Sequence, residues 1–290
     1  MRKIVALMGD GHSGHLAGLL YPETIVKTYD PDAGADGRMD LDLSPTPLQE
    51  DCYNTFSKSW QNIKQLAGKS EIIVVDNGDY VQGGKYEEGL QVKTIDQQID
   101  VAAQAKQIIY QDRSVKQVYM TFSTPSHAFL RNGSDVKLID KLRESYKRVK
   151  FSLSHHYLLN VGGVKIDVSH HGPGPGAREW TKGNILKAMT KSRIYELDRH
   201  GFEVPDVFCW AHVHTPQIEL HTDWKEGKRR DIYGLITPPL SWMNHYARKA
   251  TKSAPVLAMG MFALEIVDGR VAHVHDFMDW YDVRKPVNGV

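Results

Sequence analysis

The chain has 290 residues, 41% hydrophobic and 24% charged, with a net charge of +1. That length can bury a sizeable core as one α/β domain, and the balanced charge excludes the broad basic field behind non-specific nucleic-acid affinity. No apolar run approaches the about 20 residues a membrane helix needs, so no membrane partner is expected.

Taken in chain order, the apolar run Lys3 to Met8 predicts a buried strand that stops at Gly9 and leaves Asp10-Gly11-His12 just past its end. The same run is too short for an export signal. The two cysteines, Cys52 and Cys209, lack Cys-x-x-Cys spacing and fit a reduced cytoplasm better than a disulfide framework. Residues 21–48, rich in Pro, Gly and Asp, predict a long loop insert within a single domain spanning 1–290. Tyr53, Phe56, Trp60 and Ile63 recur at helical spacing, which predicts a helix from Leu48 to Leu66 closed by Gly68. Ile72 to Val75 is a second buried strand, ending at Asn77-Gly78-Asp79.

A helix from Val92 to Tyr110 precedes a strand from Val115 to Phe122, which delivers Pro125-Ser126-His127. Val136 to Val149 reads as a helix whose Lys137, Lys141, Arg143, Lys147 and Arg148 form a basic face. A solvated surface balanced partly by Asp140 and Glu144 is favoured there over a nucleic-acid interface. Gly162-Gly163 joins Tyr157–Val161 to Val164–Val168 as a hairpin, and its second arm runs into Ser169-His170-His171-Gly172. A helix from Lys182 to His200 and a strand from Asp206 to Trp210 lead to Ala211-His212-Val213-His214. A last hairpin, Val256 to Phe277, turns at Asp268-Gly269.

Four of these five Asp/His clusters directly follow a predicted strand, where open α/β sheets gather their sites. Carboxylate oxygen and imidazole nitrogen hold borderline divalent metals. An Asp-x-His pair offers both side chains to one ion, and the two oxygens of Asp79 can bridge to a second. Two such ions roughly 3.5 to 4 Å apart clamp a phosphate and acidify a bridging water for in-line attack. No Gly-x-Ser-x-Gly or reactive-cysteine motif is present, and this chemistry needs none. Any one pair alone reads as a surface or core feature; their joint occurrence points to metal.

The order Asp-x-His, Gly-Asp, x-x-His, a solitary His and His-x-His, over residues 9–216, resembles the calcineurin-like metallophosphoesterases. The resemblance implies an α/β fold of two mixed β-sheets packed as a sandwich flanked by helices, in four layers. It implies Asp10, His12 and His214 on one metal, His170 and His212 on the second, Asp79 between them and His127 protonating the leaving oxygen. The cofactors implied are two divalent ions drawn from Mn, Fe, Zn and Ni, with a bridging hydroxide as nucleophile. At the fourth cluster either His170 or His171 can be the ligand. Adjacent strand residues face opposite ways, and His170 is favoured.

Departures from the family pattern carry expectations of their own. Ser126 stands where the family has Asn, predicting a poorer ligand to the second metal. Ala128 replaces an acidic residue, so the orientation of His127 must come from elsewhere, and Ala211 replaces a glycine. Gln82 and Gly83 occupy positions where protein phosphatases carry Asp and a phosphate-gripping Arg, which argues against a phosphoprotein phosphatase. Arg131 is a candidate bidentate grip on phosphate. His155, His156, His245, His273, His275, Trp180 and Trp242 read as structural. The expected function is a metal-dependent phosphodiesterase or nuclease acting on a nucleotide or nucleic acid. The alternatives are a phosphomonoesterase on nucleotides or small metabolites, and a metal-poor binding scaffold of the same fold.

Overall fold

The computed structural model describes residues 2–29, 37–128, 133–174, 183–225, 227–243, 248 and 254–284. In chain order its elements are β1 (Arg2–Met8), β2 (Ile25–Tyr29), β3 (Arg38–Asp42), α1 (Pro47–Ala67), β4 (Ile72–Asp76), α2 (Ile95–Ala105), α3 (Gln107–Tyr110), β5 (Val115–Thr121), α4 (Gly133–Ser145), β6 (Lys150–Ser154), β7 (His156–Val161), β8 (Val164–His171), α5 (Asn184–Arg199), β9 (Val207–Ala211), β10 (Gln217–Lys225), β11 (Lys228–Ile236), β12 (Val256–Val267) and β13 (Arg270–Asp282).

Two mixed sheets face each other. Sheet one runs β13-β12-β1-β4-β5-β6, with β1, β4, β5 and β6 parallel. Sheet two runs β10-β11-β9-β8-β7, with β8, β9 and β11 parallel and antiparallel strands at both edges. Three apolar clusters separate four layers. Val5, Leu7, Ile73 and Val75 of sheet one meet Ile166, Val168, Cys209 and Leu235 of sheet two. The other face of sheet one packs Phe56, Trp60, Ile99 and Leu138 of its helices. Leu186 and Ile194 of α5 cover Phe208 and Trp210 on the outer face of sheet two. The central strands β4 and β9 are apolar on both faces because both are covered. The predicted four-layer sandwich is the architecture observed.

Local chemistry explains the element ends. Thr46 Oγ1 accepts from the Gln49 backbone N–H while Gln49 Oε1 accepts from the Thr46 N–H, a capping box that starts α1. Gly68, at φ 58°, ends it with an N–H bond to Lys64 O.

Three sequence expectations need revision. Residues 21–48 are not simply a loop, since β2 and β3 form an antiparallel ribbon within them. The helix expected over 92–110 is two, α2 and α3, broken at Lys106 (φ −111°, ψ 18°). There the buried ammonium turns inward to bond both Asp76 carboxylate oxygens at 2.7 Å. The helix expected over 136–149 spans Gly133–Ser145 instead, and β6 follows it as a strand the sequence reading missed. Its basic face is balanced in part by Asp140, which pairs with Arg143, and further by Asp96 and Asp100 of α2, which pair with Lys137 and Lys141. Trp180 and His245 lie outside the described residues. Among the described residues no helix is long and apolar enough to cross a membrane.

Candidate metal centre

The strand ends assemble the site. Asp10 and His12 follow β1, Asp79 follows β4, His127 follows β5, His170 lies near the end of β8, and His212 and His214 follow β9. The first two loops are zipped together by backbone bonds, Asp10 N–H to Gly78 O at 3.1 Å and His12 N–H to Asp79 O at 3.0 Å. The His212 N–H donates to Asp10 Oδ2 at 3.1 Å and ties the β9 loop of sheet two to the β1 loop of sheet one.

Six described non-glycine residues have positive φ: Asp10 (52°), His12 (44°), Asp79 (50°), His212 (75°), His214 (52°) and Asp268 (47°). All but Asp268, which sits in the β12–β13 turn, belong to this cluster. A left-handed backbone is costly for a side-chain-bearing residue and concentrates where function dictates geometry. Here it turns consecutive polar side chains toward one point.

Three donor sets converge: Asp10, Asp79, His170 and His212; Asp10, His12 and His214; and His12, Asp79 and His127, each with one ligand atom per residue within 4.8 Å of the others. Asp79 Oδ2 lies 3.1 Å from His170 Nε2, 3.5 Å from His212 Nδ1 and 4.0 Å from His127 Nε2. Asp10 Oδ1 lies 3.7 Å from His214 Nε2, whose own neighbour is His12 Nε2 at 3.1 Å.

Burial makes this crowding expensive without a cation. It pushes the Asp10 carboxyl up to about 7, against the pull of His170. It pushes His214 down to about 3 and His12 well below the ordinary imidazole range, with neighbouring imidazoles adding to the effect. Burial alone would raise Asp79, but the adjoining His170 holds its carboxyl well below the usual range. Burial opposes the charging of His170, yet Asp79 lifts it to about 9. Asp10 Oδ1 is buried without a hydrogen-bond partner. The neutral imidazoles of His12 and His214 beside the carboxylate oxygens of Asp10 and Asp79 are donors a borderline divalent ion takes, so the residues fit a metal.

A supporting set of bonds fixes the orientation of each group. A carbonyl can only accept, so the Nδ1–H of His170 donates to Asn77 O at 2.6 Å and that of His127 donates to Gln82 O at 2.7 Å. In both rings Nε2 is left facing the cluster. This backbone carbonyl supplies the orientation of His127 that an acid at position 128 would have given. Asp79 Oδ1 accepts from the Thr124 N–H at 2.8 Å and hydroxyl at 3.1 Å. The Asp79 N–H donates to Ser123 Oγ at 2.9 Å, and Ser123 in turn donates its hydroxyl and N–H to buried Asp135 at 2.9 and 2.8 Å. Glycine is required at Gly78, where a Cβ would lie 2.3 Å from His170 Nδ1.

Of the expected residues, Asp10, His12, Asp79, His127, His170, His212 and His214 are brought together. His171 is exposed on the other side of β8, its ring 5.0 Å from that of His212. Ser126 is partly exposed, with its hydroxyl 3.5 Å from Lys85 Nζ; the hydroxyl at Asp79 is that of Thr124. Arg131 lies outside the described residues. The sequence reading missed Ser123, Thr124 and Asp135. Ser123-Thr124, one residue past β5, was the available signal; Asp135, in the first turn of α4, reads as an ordinary helix-start acid.

No family model and no curated protein matches the chain. Among solved structures, an archaeal phosphodiesterase is similar at 11% identity over 79% of this chain and 99% of that one, TM-score 0.29. Zinc-complexed Vps29 from Entamoeba histolytica is similar at 16% identity over 61% and 86%, TM-score 0.29. The sulfate thiohydrolase SoxB of Thermus thermophilus is similar at 12% identity over 94% of this chain and 55% of that one, TM-score 0.32.

Proposed function

We propose that this chain is a calcineurin-like metallophosphoesterase that hydrolyses a phosphodiester at a dinuclear metal centre. The observation that carries the reading is the overlap of the three donor sets, in which Asp10, Asp79 and His12 are each shared by two sets; this supports two adjacent cations. Asp10, His12 and His214 would hold one ion, His170 and His212 the other, with Asp79 between them. When bound, two divalent ions supply electrophilic stabilisation of phosphoryl oxygens and acidify water. The family order of these residues along the chain supports the same reading.

The chain's own residues do the rest. His127, with Nδ1–H committed to Gln82 O, presents Nε2 toward Asp79 and the cluster, where in its doubly protonated form it donates to a leaving oxygen. Thr124, Ser123 and Asp135 hold Asp79 in its left-handed conformation. A diester is favoured because position 83 admits no phosphate-gripping side chain: at Gly83 a Cβ would lie 2.8 Å from Ser126 O and 3.0 Å from His127 Cα. The single charge of a diester needs less cationic grip than the dianion of a monoester. A monoesterase reading draws on Lys85, whose ammonium lies near Ser126. Turnover of bis-p-nitrophenyl phosphate against the mono-ester, with Mn, Zn, Ni or Fe added, separates them. Preference for the mono-ester overturns the diester reading. Under one metal per chain together with no turnover of either ester leaves a binding scaffold.

A further inference from the structure

On the outer face of sheet two, the β8 side chains that alternate with His170 are Asp167, Ser169 and His171. They form one wall of an open cavity of about 360 Å³ among the described residues, with Phe208 and Trp210 as its floor and the end of α5 opposite. His171, beside His212, joins this cavity to the metal cluster. The volume falls within the usual range for a small-molecule site.

Two features of the lining specify chemistry. The first is aromatic. Phe208 and Trp210 stack at 5.5 Å with planes 5° apart beneath the cavity. Phe202 stands at its mouth with 66% of its surface exposed, yet its backbone is held firmly. Helix α5 ends in a Schellman motif, with the Phe202 N–H donating to Leu197 O at 2.9 Å, the Gly201 N–H donating to Asp198 O at 3.1 Å, and Gly201 at φ 71°. The residue at this position ordinarily covers the last helical turn; here the ring stands in solvent instead. The second feature is polar. The pairs His156–Asp167 at 2.8 Å and Arg193–Glu196 at 2.7 Å line the same space, and each keeps donor and acceptor positions beyond its own bond.

A flat ring with hydrogen-bonding edges, carried on a phosphoester, meets both demands. We infer that this cavity is the subsite for the nucleoside of a phosphoester substrate, its base stacked on Phe202 and its edge turned to the two ion pairs. The assignment of the phosphate to the neighbouring cluster rests on the function proposed above; the base subsite does not.

Adenosine, which carries no phosphoester, is the probe, titrated into the whole chain and followed by NMR chemical shifts. Saturable shifts at Trp210 and the end of α5 are expected, with none from ribose alone. Phe202→Ala should weaken binding roughly tenfold, the scale of one lost base–aromatic stack, and Arg193→Ala should weaken it as well. Both side chains are well exposed, so the unfolding midpoint should not move. Absence of saturable binding in the unsubstituted chain, or affinity in both variants unchanged from it, overturns the inference. Adenosine binding without turnover of any phosphoester would keep the subsite and sink the hydrolase; turnover without adenosine binding would do the reverse.

Discussion

A left-handed backbone at a side-chain-bearing residue costs about 1 to 3 kcal/mol, and Asp10, His12, Asp79, His212 and His214 each adopt one. That strain is tolerable because backbone bonds and buried neighbours over-determine each loop, and it aims their side chains at a common centre. Within it, His170 and His171 separate cleanly: the first is buried against Asp79 and the second is exposed. His170→Ala should lose about one metal per chain while His171→Ala keeps both, as read by metal analysis; equal retention contradicts the assignment. Asp135→Asn should loosen Ser123 and with it Asp79, weakening metal binding by roughly 10- to 100-fold in a chelator competition. Unchanged affinity there would reduce Asp135 to a packing role. The metal-free chain should also show a pH signature. Folded His170 holds its proton up to about 9, whereas an unfolded imidazole releases it near 6.5. Its stabilisation is full below the lower value and is lost as pH rises through the higher one. Asp10, at about 7, has finished titrating before that window closes. Denaturant titrations should therefore show stability falling by on the order of 2 kcal/mol between neutral pH and 9, a slope absent in His170→Ala.

At the scale of elements, the break between α2 and α3 follows from one buried ion pair. Lys106, 3% exposed, bonds Asp76, 0% exposed, at the end of the strand that leads to Asp79. Burial raises the Asp76 carboxyl despite the ammonium beside it, so removing the ammonium leaves a charge with no partner. Lys106→Met should cost about 3 to 5 kcal/mol in urea unfolding, and adding Asp76→Leu should restore most of it. If the double substitution is as unstable as the single one, packing rather than charge is what Lys106 contributes. The helix periodicity over 92–110 was legible, but the interruption was not, because a lysine in a helical pattern ordinarily faces solvent.

Across the whole molecule, the ligand-bearing loops come from both sheets. Asp10, His12, Asp79 and His127 follow strands of sheet one, while His170, His212 and His214 belong to sheet two. A cation held jointly would fasten the sandwich at one edge. Binding to the folded chain alone stabilises by about 2.7 kcal/mol when free metal is a hundredfold above its dissociation constant. Adding Mn to chelator-treated protein should raise the thermal midpoint measurably, and an unmoved midpoint across Mn, Zn, Ni and Fe would contradict a shared cage.

The amino-acid order by itself determined the central strands, α1 with its cap, the hairpins at Gly162-Gly163 and Asp268-Gly269, and the seven clustered residues, because short apolar runs and glycine-bounded loops are local signals. Only the tertiary structure decided that His170 and not His171 faces Asp79, that Thr124 rather than Ser126 reaches it, and that Asp135 braces the loop through Ser123. Those outcomes depend on strand facing, on left-handed turns and on hydrogen bonds between groups up to 93 positions apart, such as those from Thr124 to Asp79 and from His170 to Asn77. The cavity beneath Phe202 likewise exists only where α5 meets sheet two, and no stretch of the chain signals it alone.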